Sequence, residues 1–493
     1  MGAAFGHGGG VNRHKRIALV LGPGLALMTG LLPAPAGLGA DGWLALGIGL
    51  WMALWWMTEA VPIPVTSLLP LIVFPVVGLR SMADTAVPYA NPLIFLFMGG
   101  FILALGMERC HLHRRIALGI LRRVGTRPKA ILWGFMLAAA LLSMWVTNTA
   151  TTMMMLPIGL SVVVLAREHL APSEARAFGT ALMLAIAYAA TIGGLGTLIG
   201  TVPNALAAAF MQDAFDVRIG FGQWMLFGVP LMVVGLPVTF WVLTRVAFRL
   251  DGDAIPGMHT MLGQMMRELG PMTRDERWVS AVFGVVVALW LGRPLLSDLL
   301  PGLTDTGIAL FGAAVLFVLP AAGPAEDAPW SERFLMSWAD AKRLPWGILV
   351  LFGGGLSLAA VLSDTGFAAW LGGLISYVGA WPLIVVMLVV TALVIALTEL
   401  TSNTATTAAF LPVMASVALG IGADPLLLVV PATVAASAAF MLPVATPPNA
   451  IVYGSDLVTI QDMARTGAWL NAAFTIIITG VAYVLVRLVF IPA

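Results

Sequence analysis

Charge is what this chain has least of. Lysine, arginine, aspartate and glutamate together make up 10% of its 493 residues, against about a quarter in an ordinary soluble domain. With 60% hydrophobic residues and a mean hydropathy of +0.97, that scarcity excludes a solvated globular fold. A single cysteine, Cys110, excludes an internal disulfide. Neither a lysine–arginine tract nor basic–aromatic interleaving occurs, so nucleic acid is not an expected partner. The one close histidine pair, His111 and His113, lies in a basic stretch at i, i+2 and reads as loop residues and not as metal ligands. No nucleophile–base pair or metal-ligand spacing appears, so an enzyme is not expected.

What is present is apolar sequence in long runs: 17–32, 43–57, 93–107, 224–243, 279–291, 347–362 and 470–486. Each approaches the roughly 20 residues a membrane-crossing helix needs. The stretches between them are shorter or broken by glycine and proline. A barrel would instead show short alternating segments. The pattern predicts an all-α polytopic membrane protein. Arg13, His14, Lys15 and Arg16, then an apolar run and Ala34-Pro35-Ala36, resemble a secretory signal. With so many spans following, an uncleaved first helix is the expected reading. The basic segment then places the N-terminus in the cytoplasm of a cell with the chain in its inner (plasma) membrane.

The chain also repeats itself. "VTNTATTMMMLP" and "LTSNTATTAAFLP" hold Asn148 and Asn403, which are 255 residues apart, as are Pro157 and Pro412, and Gly99 and Gly354. Each knot precedes a second broken element, "GTLIGTVPNAL" and "ATPPNAIVYG". Charge orients the halves. The first glycine-rich span is followed by Arg114, Arg115, Arg122, Arg123, Arg127 and Lys129, while the equivalent second-half stretch has no lysine or arginine. The positive-inside rule puts the first in the cytoplasm and the second outside. Inverted repeats follow, an arrangement that recurs in transporters.

About 20 residues separate Lys129 from Asn148, and as many lead on to Arg167. A segment that leaves and regains one face around a polar tip is a re-entrant hairpin, tolerated where it lines a protein-enclosed cavity. Two such hairpins, from opposite faces, are expected to bring Thr147-Asn148-Thr149 and Ser402-Asn403-Thr404 near the midplane.

Carbonyls at a broken helix, with asparagine and hydroxyl oxygens, suit a small hard cation. Amide donors at the starts of half-helices suit an anion. Hydrogen bonding between helices is the structural alternative, but two matched knots, each followed by a break, favour a site. Lysine, arginine and histidine are absent from 131–165, 177–217 and 344–464, where every candidate element lies. A buried dianion without compensation is strongly unfavourable, so co-bound cations would have to neutralise it. Glu399 beside Thr398 is either a proton or cation site or a carboxylate that holds its tip; Met144 fills the matching place. Glu59 either faces water or caps the next helix.

These residues are similar to the divalent anion–sodium symporters, carriers of dicarboxylates, tricarboxylates or sulfate. "WWMTEAVPIPVTSLLP", "VTNTATTMMMLP", "LTELTSNTATTAAFLP" and "MLPVATPPNAIVYGSD" carry the resemblance, which covers roughly residues 15–493. It implies a homodimer of eleven-span protomers in a lipid bilayer, each with a scaffold and a transport domain that moves like an elevator. It implies a first sodium (Na+) site at Ser143, Thr147, Asn148 and Gly196, and a second at Thr398, Thr401, Asn403 and Ala445. Carboxylate contacts would come from Asn148, Thr149, Thr197, Ser402, Asn403, Thr404 and Thr446, with Pro447 shaping the wall. Two departures stand out: Thr147 where serine is usual, and Val202 where proline is common.

The expected organisation is a cytoplasmic segment 1–16 and a first repeat half 17–248, with a hairpin at about 130–163 and a broken helix at about 177–210. A cytoplasmic linker 249–277 leads to a second half 278–493, with a hairpin at about 381–417 and a broken helix at about 425–456. The expected activity is sodium-coupled symport of small divalent anions, foremost C4-dicarboxylates such as succinate, with two or more sodium ions. A sodium-independent or proton-coupled exchanger, or a sulfate or citrate carrier of the same fold, is the alternative. A channel is a third class, disfavoured because two hairpins meeting from opposite faces would close a pore.

Overall fold

The computed structural model describes residues 9–250, 252–296, 298–322, 329–330, 333–374 and 381–491. Residues 1–8 of the expected N-terminal segment, and 375–380 of the second-half stretch without basic residues, lie outside them. The described chain is helical, with one isolated bridge between Pro320 and Phe334. Among the described residues, seven helices are long and apolar enough to cross a membrane, from Met82–Arg109 to Ile460–Val489. Five further apolar helices are shorter: Ile63–Val76, Pro128–Ser143, Asp305–Leu316, Leu383–Thr398 and Leu426–Ser437.

The short helices fall in matching places. Pro128–Ser143 and Leu383–Thr398 have 16 residues each. At 1.5 Å per residue each reaches about 24 Å, short of the ~30 Å hydrocarbon core. Each is followed by four non-helical residues and a longer helix, Asn148–His169 or Asn403–Gly420. The broken elements are also paired. Helix Pro172–Gly194 and helix Val202–Phe215 flank residues 195–201, and Leu426–Ser437 and Pro447–Tyr453 flank 438–446.

Contacts divide the chain into two compact units, each drawing segments from both repeat halves. The first unit comprises Met1–Ile94, Leu206–Arg218 and Pro345–Ala436. Its glycine-rich helix Trp346–Asp364 packs at close range because Gly354 lies against the Ser67 backbone and Gly353 against Tyr89. A side chain at either place would enter its neighbour. The Tyr89 hydroxyl donates to the Ser67 carbonyl, and Trp56 Nε1 donates to Ser67 Oγ at 3.1 Å. Glu59 ends its helix in the left-handed region (φ 47°) and is exposed, while Pro62 occupies the next N-cap. Glu59 is therefore the C-cap of its own helix, faces out and does not cap the next one.

The second unit comprises Phe95–Ala205, Ile219–Leu344 and Ser437–Ala493. Its centre is the alanine-rich helix Pro172–Gly194, buried without interruption from Phe178 to Gly194. Small side chains let neighbours approach on every side: Gly193 abuts the Ala140 backbone, and Gly99 abuts that of Ala309. Gly99 thus does here what Gly354 does in the other unit.

Ion pairs in this unit join segments that charge had assigned to one face. Arg115 grips Glu276 through Nε and Nη2 at 2.7 and 3.1 Å, and its guanidinium also reaches the carbonyls of Leu269, Gly270 and Pro271. The Ile255 amide donates to the Thr126 carbonyl at 3.0 Å. The basic run 111–129 and the linker are therefore packed together. Arg109 pairs with Asp340 at 2.6 Å. His111 turns the chain with φ 60°, and His113 Nδ1 lies 3.0 Å from the Met107 carbonyl, where burial lowers its pKa. His111 thus sits in the turn before helix Leu112–Leu121, whereas His113 lies in the first turn of that helix and not in a loop.

Candidate functional site

The two knots have nearly the same internal hydrogen bonds. In the second unit, Ser143 ends one helix and Asn148 begins the next. Ser143 Oγ donates to Asn148 Oδ1 at 2.5 Å, and Thr152 Oγ1 donates to the Asn148 carbonyl at 2.8 Å. In the first unit, Thr398 ends one helix and Asn403 begins the next. Thr398 Oγ1 shares its one hydrogen between the Ala436 carbonyl at 2.6 Å and Asn403 Oδ1 at 2.9 Å, and Thr407 Oγ1 donates to the Asn403 carbonyl at 2.8 Å. The Thr151 amide reaches the Thr147 carbonyl at 3.0 Å, as Thr406 reaches Ser402 at 2.8 Å. Each knot thus gathers a hydroxyl and a carboxamide oxygen around a four-residue tip.

The local sequence explains the geometry. Thr147 and Ser402 are N-cap residues, favoured because a short oxygen-bearing side chain suits a helix start. The Thr147 hydroxyl accepts from the Ala150 amide at 3.3 Å, so the threonine in place of serine still caps its helix. The first-turn amides have no carbonyl partner within a helix, and the dipole there favours negative charge. Carbonyls at the preceding helix end favour positive charge. Thr147, Asn148, Thr149, Thr401, Ser402, Asn403 and Thr404 are all half-buried, whereas Ser143 and Thr398 are buried.

The knots also differ. Thr401 Oγ1 donates to the Leu397 carbonyl at 2.9 Å and lies 2.6 Å from Thr406 Oγ1. In the first knot Val146 holds that place, and the buried Thr151 Oγ1 has no partner. Trp145, at the first tip, packs edge-on against Phe283 at 5.0 Å and stacks with Phe221. Its counterpart Leu400 is exposed. Glu399 is buried beside Thr398.

The broken loops account for the remaining expected residues. Thr197 is buried; its hydroxyl donates to the Met144 carbonyl and accepts from the Gly200 amide, so it pins the first tip to its loop. Gly196 is buried in the same loop. Thr446 and Ala445 are buried, with Thr446 Oγ1 accepting from the Asn449 amide at 3.3 Å, while Pro447 is exposed.

Four residues to which the sequence assigned no role hold these loops in place. Asn204 Nδ2 donates to the carbonyls of Gly194 and Thr197 at 3.1 and 2.8 Å. Asn449 Nδ2 donates to those of Ala439 and Leu442 at 3.4 and 3.0 Å. Each asparagine reaches back ten and seven residues, so one clasp is built twice. Gly228 lies against the Leu195 carbonyl and Gly467 against that of Phe440, where any side chain would collide. The repeated Pro-Asn pair was visible in the sequence; nothing local distinguishes Gly228 or Gly467 from other helix glycines.

Residues 13–491 match the family model for the sodium:sulfate symporter transmembrane region. The chain is 43% identical over 482 residues to a sodium-dependent dicarboxylate transporter, SdcS, of Staphylococcus saprophyticus, covering 96% of this chain and 92% of that one. It is 42% identical over 480 residues to the SdcS of Staphylococcus aureus, covering 96% and 91%. Among solved structures, the Alcanivorax borkumensis YdaH transporter superposes with a TM-score of 0.55 at 14% identity, covering 95% of this chain and 97% of that one. Neisseria gonorrhoeae MtrF, from a class of antimetabolite efflux pumps, gives 0.55 at 13% identity, covering 94% of each. At such identities these two likenesses concern the fold alone.

Proposed function

The chain belongs to the sodium:sulfate symporter family, a family of transporters, and we propose that it carries C4-dicarboxylates such as succinate together with sodium. The observation that carries this reading is the duplicated oxygen knot set in sequence without basic side chains. Ser143–Asn148 and Thr398–Asn403 present neutral oxygens, and 131–165, 177–217 and 344–464 hold no lysine, arginine or histidine. A dianion bound there needs positive charge from outside the protein, and sodium supplies it.

The first sodium ion is assigned to Ser143, Thr147, Asn148 and the Gly196 backbone. The second is assigned to Thr398, Thr401, Asn403 and the Ala445 backbone. Asn148, Thr149, Thr197, Ser402, Asn403, Thr404 and Thr446, with Pro447, are assigned to the substrate. Sodium binds first and makes the site positive, then the dicarboxylate follows. An elevator-type movement in a homodimer then exposes the load to the other side of the plasma membrane, with the N-terminus cytoplasmic. A dicarboxylate is preferred to sulfate because the relatives at 42% and 43% identity are named for dicarboxylates.

Thermal unfolding of the purified chain tests the substrate class. Succinate, malate or fumarate should raise the midpoint in sodium chloride and leave it unmoved in choline chloride. Stabilisation by sulfate or citrate alone would transfer the assignment to those anions.

One observation favours a second reading, proton coupling or exchange: the buried carboxylate of Glu399 at the second tip. Uptake by Glu399→Gln decides between them. Sodium dependence should persist, and sodium-independent exchange in its place would make Glu399 the coupling group.

A further inference from the structure

We infer that the carboxamide oxygens of Asn204 and Asn449 are cation ligands, each serving an ion held at its own broken loop. This rests on the sodium-coupled reading above and adds to it two residues outside the knots.

The donors fix the orientation of both side chains. A carboxamide carries two donor hydrogens on nitrogen and only acceptor lone pairs on oxygen. Asn204 faces the Gly194 and Thr197 carbonyls and Asn449 faces the Ala439 and Leu442 carbonyls, so nitrogen must occupy that side in both. A flipped amide would set oxygen against oxygen. Each Oδ1 therefore points away from its loop carbonyls. Both asparagines are 0% exposed, and neither Oδ1 has a donor. A buried acceptor left unsatisfied is unfavourable, and here the same orphan oxygen occurs in both repeats. A defect inherited twice at matching places points to a ligand.

A second observation places the first asparagine beside a knot. A Cβ built on Gly194 would lie 2.6 Å from Asn148 Oδ1. The residue whose carbonyl Asn204 holds is thus the residue on which the Asn148 carboxamide rests. Asn148, Ser143 and Asn204 converge around one turn of backbone in the second unit. No basic side chain lies within 177–217, and the second clasp lies inside 344–464, which also has none. Neutral oxygens without competing cationic donors suit a small hard ion.

The nitrogen clasp and the oxygen ligand separate experimentally, because alanine removes both, whereas aspartate removes the donors, keeps an oxygen ligand and adds a negative charge that favours a cation. The test is thermal unfolding of the purified full-length chain without substrate, titrating sodium chloride against choline chloride at constant ionic strength. A ligand that binds the native state stabilises it in proportion to its saturation. Asn204→Ala and Asn449→Ala should each raise the half-stabilising sodium concentration at least about tenfold, while Asn204→Asp and Asn449→Asp should raise it far less. Equal shifts in alanine and aspartate variants would mean that the clasp alone matters and that water serves the oxygen, overturning the inference. Lower stability in choline with an unmoved sodium midpoint would overturn it too. Should an alanine variant fail to purify, serine replaces it in the comparison with aspartate. A wild-type chain without any sodium response would remove the sodium-coupled reading and this inference with it, whereas a responsive wild type with unshifted variants contradicts the inference alone.

Discussion

At the scale of single residues, Asn403 carries the heaviest assignment. Its carboxamide oxygen accepts from Thr398, and it opens a helix whose first amides are assigned to the anion. Removing a hydrogen-bonding partner of a charged group costs about 1.5–3 kcal/mol, or roughly a 10- to 100-fold change in affinity. Asn403→Ala should therefore raise the sodium concentration for half-maximal uptake by that factor and weaken succinate binding. Near-normal sodium-driven uptake would show that the knot serves packing. Thr147→Ser keeps the capping hydroxyl seen at Ala150 and removes only a methyl group, so uptake should stay within about twofold of the parent, since caps are worth ~1 kcal/mol and serine matches threonine there. Total loss would mean the methyl packs against something essential. Such residues were legible in the sequence because a Ser/Thr-Asn knot is conspicuous among apolar neighbours. The engagement of Thr197 with the Met144 carbonyl was not, because it joins residues from different elements and no local pattern reveals it.

At the scale of elements, the pairing of short helices was readable from motif spacing and charge. The equal 16-residue lengths and four-residue tips follow from where Asn148 and Asn403 stand. The supports of the loops were not readable. Asn204 and Asn449 clasp carbonyls ten residues back, and Gly228 and Gly467 make room for a loop from a distant helix. Helix glycines have many uses, and only packing separates one use from another. Gly228→Val and Gly467→Val should each drive a side chain into a loop carbonyl, at a cost of about 1–3 kcal/mol. Uptake should fall more than stability does, because the displaced backbone is that of the broken loop. Parent-like uptake by both variants, measured beside their unfolding midpoints, would show that loop geometry is not critical.

For the whole molecule, the linker contact joins two segments that the charge pattern reads as lying on one side. Arg115 grips Glu276 and its neighbours, so two segments read as cytoplasmic from charge do share a face of their unit. Energetics then limit what coupling can achieve. Two sodium ions balance a dianion, so a tenfold sodium gradient supports about a hundredfold substrate gradient, or ~2.7 kcal/mol. A third ion would bring net charge and add about 2.3 kcal/mol per 100 mV of membrane potential. Succinate accumulation measured with and without an imposed potential therefore counts the ions. Accumulation raised by an inside-negative potential means more than two, accumulation lowered by it means fewer, and no change means two.

The most direct measurement of the central claim is labelled succinate uptake into proteoliposomes under an inward sodium gradient, with potassium substituted in a parallel arm. Both arms are run with and without internal succinate. The account predicts uptake that requires external sodium and proceeds with an empty interior. Uptake that ignores sodium and requires internal succinate would contradict it, establishing exchange and leaving the absence of basic residues around the knots to be explained some other way.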